Sequence, residues 1–111
     1  RIYAAYMPEH LVRPLLEHEW SQAPVHGPKN WSEFLALKAH IQNQGFSSVE
    51  GELLAGVNAV CVPVFNQYAE IEFAIAALDS SQNLPIDPEH ATLKAMLSTA
   101  QQLTKFLSQA A

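Results

Sequence analysis

The chain has 111 residues and a formal net charge of −5, which suits one domain with a modest core. Hydrophobic residues make up 49% and charged residues 15%, a globular rather than a disordered composition. The six basic residues, Arg1, Arg13, Lys29, Lys38, Lys94 and Lys105, are scattered; phosphate binding needs clustered positive charge, so these residues by themselves argue against a DNA-binding or acidic-membrane surface.

The single Cys61 excludes an internal disulfide and a Cys-rich zinc site. A lone Cys in an apolar strand behaves as a small hydrophobe, compatible with a reducing cytoplasm. No apolar run reaches membrane-spanning length and no signal peptide is visible. The sequence starts at Arg1, without Met and already in an apolar periodic stretch. It reads as the C-terminal part of a longer protein.

Arg1 to Tyr6 has helical spacing and must stop before Pro8, because the residue before a proline avoids the helical region. Pro8 suits the start of a second helix, Glu9 to Trp20, with Leu11, Val12, Leu15 and Leu16 as its buried stripe. Pro14 falls inside that pattern and predicts a kink or an early break. Ser21 to Pro28 reads as a loop. Asn30 or Ser32 caps a third helix with Trp31, Phe34, Leu35, Leu37 and Ile41 on its apolar side, and Gly45 ends it.

Phe46 to Val49 reads as a short edge strand. Val57 to Phe65 is a strand apolar on both faces, with Val57, Ala59, Cys61 and Pro63 on one side and Val60, Val62 and Val64 on the other. Such a strand must be covered on both sides, so it belongs in the middle of a layered domain. Pro63 cannot donate a ladder hydrogen bond and marks an edge, a bulge or a strand end. Asn66 to Ala69 makes a turn and Ile71 to Leu78 the return strand. After a loop from Ser80 to Pro85, Asp87-Pro88-Glu89 predicts a helix start. Leu93, Met96, Leu97, Ala100, Leu103 and Leu107 then recur at helical spacing through Ser108, for packing across the sheet.

Few residues suggest chemistry. Glu50 and Glu52, with Glu70 and Glu72 further on, can be read as an acid–base pair or as a solvated turn and strand face. The second reading suits all but Glu52, which precedes the two-sided strand and can bond a ligand or hold a loop. His10, His18, His26, His40 and His90 lack metal-ligand spacing, so no metal or other cofactor is expected. Cys61 has no activating partner nearby in sequence, and no glycine pattern forms a phosphate loop. Asp79-Ser80-Ser81 can offer oriented hydrogen bonds at a strand end.

The segment GFSSVEGELLAGVNAVCVPVF, Gly45 to Phe65, resembles the effector-binding domain of IclR-type bacterial transcription regulators. The matching elements are Gly45-Phe46, Glu52, Gly56-Val57 and Pro63-Val64-Phe65, in the family's order. RIYAAYMP, Arg1 to Pro8, looks like the helix that follows the family's first strands, and the last helix fits in length and character. The resemblance implies an α+β fold: a GAF-like antiparallel sheet with helices packed on its faces, here a partial, N-terminally truncated domain over residues 1–111. It implies a non-enzymatic sensor whose small-molecule effector, often an organic acid, modulates a homodimer or tetramer. DNA would be bound only by a winged helix-turn-helix absent from this sequence. The implied effector site comprises Val57 and Ala59 on one sheet face, Val49 and Glu52 in the closing loop, and Asp79 and Ser81 at the return-strand end. An Asp79 carboxylate facing that pocket would repel an anion. Two readings compete with the sensor. One is an interaction or dimerisation domain without ligand; the other is a small cytosolic enzyme using Cys61 or Glu50 and Glu52.

Overall fold

The computed structural model describes residues 1–52 and 54–109. Three helices come first: α1 (Ile2–Tyr6), α2 (Glu9–Ser21) and α3 (Trp31–Gln44). The strands β1 (Ser47–Glu50), β2 (Val57–Phe65) and β3 (Ile71–Ser80) follow, and α4 (Ala91–Gln109) closes the chain. The strands form one antiparallel sheet in the order β1-β2-β3.

β2 lies in the middle, as its two apolar faces require. Val60, Val62 and Val64 are fully buried against Leu93, Met96 and Ala100 of α4, with Phe46 and Leu84 completing that core. On the other face Cys61 packs against Ile2, Ala5 and Ile41 of α1 and α3. The sheet is thus sandwiched between helices, as an α+β layered domain demands. β1 pairs with β2 only from Asn58 to Cys61, so Pro63 lies beyond the reach of its ladder.

Local chemistry sets the element ends. Asn30 caps α3 through its side-chain oxygen, which accepts the Glu33 N–H at 2.9 Å, and the Glu33 carboxylate accepts the Lys29 N–H at 2.7 Å. Gly45 ends α3 in the left-handed conformation, φ 88°, with its N–H on the Ile41 carbonyl. The Asn66 side chain accepts the N–H groups of Tyr68 and Glu70 and so builds the β2–β3 turn.

Four expectations need correction. α2 continues through Pro14; the His10 carbonyl that loses its partner lies on an exposed stretch within reach of water. Only Val12 and Leu16 of the α2 stripe are buried, while Leu11 and Leu15 face outward, because α2 packs against α3 along a single narrow seam. Leu35 of α3 is exposed for the same reason. Finally, α4 starts at Ala91 and not at Asp87. The Asp87 carboxylate accepts the N–H two residues on, at Glu89, which makes a turn; His90 Nδ1 then accepts the Thr92 N–H at the helix start.

Candidate functional site

Residues opposite one another in an antiparallel ladder share a face. Val49, Ala59 and Leu78 are therefore on the face that α1 and α3 cover, as are Val57 and Ser80. At the β1 end of this face lies a cavity of about 290 Å³ walled by α1, α2, α3, the α2–α3 loop, and Val49 and Glu52. Leu16, Phe34, Leu37 and Val49 supply its apolar walls, and its ionisable groups are Arg1, Glu19, His26 and Glu52.

Each wall has a local cause. Trp20 donates its indole N–H to the Pro28 carbonyl at 2.8 Å, which pins the loop carrying His26, Gly27 and Pro28. Trp20 and Trp31 meet edge to face and the Arg13 guanidinium lies 4.8 Å over the Trp31 ring, bracing the loop from behind. Gly27 has φ +86°, a conformation other residues rarely adopt, and brings the loop close to Arg1. Glu52 follows Gly51, whose N–H donates to the Val57 carbonyl at 2.9 Å.

In the cavity lining Arg1 Nη2 donates to Glu52 Oε2 at 2.8 Å, and both side chains are about two-thirds buried (27% and 33% exposed). Arg1 Nη1 lies 3.5 Å from the Ser48 carbonyl oxygen. The pair joins the start of α1 to the β1–β2 loop across 51 residues of sequence. Nothing local in the sequence announces it: Arg1 stands there as a scattered basic residue at the start of a helix, with no sign of a partner.

The structure brings Val49 and Glu52 together and separates the other expected site residues from them. Val57 and Ala59 are half-buried on the same sheet face but do not line the cavity. Asp79 pairs with Asn58 and so, by the two-residue period of the strand, lies on the α4 face, away from Val49 and Glu52. Its carboxylate accepts the Ser80 N–H at 2.6 Å and lies 3.4 Å from the Asn83 amide, so it organises the turn after β3. Ser81 is exposed and reaches the β1–β2 loop through its backbone N–H, which donates to the Gly56 carbonyl at 2.8 Å.

A larger, wider-mouthed groove of about 460 Å³ lies at the other end of the sheet, lined by Tyr6, Pro63, Phe65, Thr104 and Lys105 among others. Among the described residues its lining holds none of the expected site residues and one charged group. Among the described residues no three His, Cys, Asp or Glu side chains gather as a metal site, and no helix is long and apolar enough to cross a membrane.

The α+β layer thus carries, beside its sheet, a cavity with apolar walls and an Arg1–Glu52 ion pair. The sequence profile of the bacterial transcriptional regulator IclR C-terminal family matches residues 1–105, and the chain belongs to this family. It is a family of transcription regulators and not of enzymes. Pseudomonas aeruginosa HmgR superposes with a TM-score of 0.81 at 20% identity, covering 97% of this chain and 42% of HmgR. The C-terminal domain of the Escherichia coli transcriptional regulator KdgR gives 0.73 at 14% identity, covering 94% of this chain and 64% of that one. The inducer-binding domain of the Acinetobacter transcription factor PobR, a double mutant in complex with 3-hydroxybenzoic acid, gives 0.59 at 20% identity. That match covers 73% of this chain and 47% of PobR's. A comparison with curated protein sequences finds no match. The chain therefore spans less than half the length of HmgR.

Proposed function

We propose that residues 1–111 form the C-terminal part of the effector-binding domain of a cytoplasmic transcription regulator, and that a small organic ligand occupies the cavity between Arg1, Val49 and Glu52. The observation that carries this reading is the Arg1–Glu52 pair, a charged couple held in a cavity whose walls are otherwise largely apolar. Few polar groups in an apolar recess is the common composition of a small-molecule site. An organic acid is the ligand class we favour. PobR's inducer-binding domain holds one, and Asp79, on the opposite sheet face, sets no charge against it here. Val57 and Ala59 continue the sheet surface next to Val49 and would support the ligand's far side. Ser81 would act through its backbone contact with Gly56, steadying the β1–β2 loop. Binding would bias a homodimer or tetramer, and through it a DNA-binding winged helix outside these residues.

The test is a thermal-shift screen against small acids, sugars and aromatics. A ligand that binds only the folded state raises Tm by mass action. A hit weakened by Val49→Trp, or changed in affinity in either direction by Glu52→Ala, with the unliganded Tm unchanged supports the reading; a hit insensitive to both places the ligand elsewhere. A second reading, an interaction domain without ligand, is favoured by β3. Its outer edge pairs with no strand among the described residues, and Leu78 on it is 67% exposed. Tight self-association with no hit in the screen selects this second reading.

A further inference from the structure

We infer that Arg1 is the residue that binds the effector's carboxylate and that Glu52 occupies its place in the unliganded protein, so that ligand and Glu52 exclude one another. This rests on the effector-binding reading above. A guanidinium has five N–H donors in a planar fork. Here one is spent on Glu52 at 2.8 Å, and the contact to Ser48 is at the limit of a hydrogen bond at 3.5 Å. Glu52 thus makes a single-point contact, whereas a free carboxylate facing the fork forms two parallel bonds. Among the described residues Arg1 is also the only Lys or Arg lining the cavity.

The two partners differ in how firmly they are held. Arg1 caps α1, whose Ile2 and Ala5 are buried, and its Nη2 lies 3.6 Å from where a Cβ on Gly27 would be. The Glu52 side chain has no hydrogen bond besides the one to Arg1 among the described residues, and it adjoins Gly51 at φ +68°. It can turn to solvent and be hydrated there, while Arg1 stays. A cationic ligand would require the reverse, taking Glu52 and leaving the better-fixed Arg1 unpaired in the wall. Glu19 lines the same cavity and opposes an anion, but it is solvent-exposed, where screening weakens the repulsion.

The test uses the full-length protein and three single-ring probes matched to the cavity: benzoate, benzamide and benzylammonium. Affinities are measured by calorimetry and thermal shift on wild type, Glu52→Gln, Arg1→Gln and Arg1→Lys. We expect benzoate to bind in preference to the other two and Glu52→Gln to tighten it roughly 3–10-fold by removing the competitor's charge. Arg1→Gln should weaken it about tenfold or more, with Arg1→Lys between. Weaker benzoate binding in Glu52→Gln overturns the exchange but leaves the effector reading standing. So does a preference for benzamide or benzylammonium. No stabilisation by any probe, here or in the broad screen, removes both. Melting of each unliganded variant separates folding from binding, and Glu52→Ala repeats the comparison should the Gln variant fold poorly.

Discussion

Asn58 donates its side-chain amide to the Leu84 carbonyl at 2.9 Å, with Asn58 6% and Leu84 1% exposed. This bond ties the polar end of β2 to the β3–α4 connection and explains a polar residue at a buried position of the central strand. Asn58→Leu leaves a buried carbonyl without a partner. We expect a loss of about 1–3 kcal/mol, read as a lower midpoint in urea with an unchanged slope. An unchanged midpoint would mean that water replaces the amide.

The core depends on α4 far more than on the outer face of α2. Leu93 is fully buried and Leu15 is 69% exposed. Leu93→Ala should cost about 2–5 kcal/mol through lost burial and a residual cavity, and Leu15→Ala within about 0.5 kcal/mol. Comparable losses in the two variants would show that Leu15 is covered in solution.

Gly45→Ala isolates a backbone effect. A Cβ at this position meets nothing within 4 Å, so crowding is not the issue, but φ is +88°. The left-handed conformation should cost roughly 1–2 kcal/mol for Ala and less for Asn. Equal stability of the Gly and Ala proteins would place the α3 end in another conformation.

Burial pushes the Tyr6 phenol above its usual value of 10, and its ring meets Phe65 edge to face at 5.0 Å. The folded state therefore holds the proton more tightly than the unfolded chain. The sign follows: this contribution to stability is intact below about pH 10 and is lost as pH rises from there through the raised folded value. Tyr6→Phe should flatten stability against pH in that window. The check is urea unfolding of both proteins from pH 8 to 11.

Cys61 is half-buried under Ile2, Ala5 and Ile41. Its reaction with iodoacetamide should be slower than that of free cysteine and should recover in denaturant. A rate above that of free cysteine would instead reveal an activated thiol.

Much of this fold was legible in the sequence because it is written in local chemistry. The alternation from Val57 to Phe65 assigns the two faces of β2, Asn30 and Gly45 bound α3, and Asn66 makes the turn; each depends on residues a few positions apart. Where local signals competed, the stronger hydrogen bond won, as at Asp87, whose carboxylate folds a turn and leaves the helix start to Ala91. The candidate site was legible only in part. Glu52 and Val49 stood out by position, but their partner Arg1 is joined to Glu52 only by tertiary packing of α1 beside the β1–β2 loop. Asp79 is the converse case. Sequence put it at the right strand end, and the ladder register, a property of the paired strands alone, turned it to the other face. Periodicity and capping act over a few residues and belong to the chain itself. Which side chains share a cavity depends on register and helix placement, and these exist only once distant segments pack.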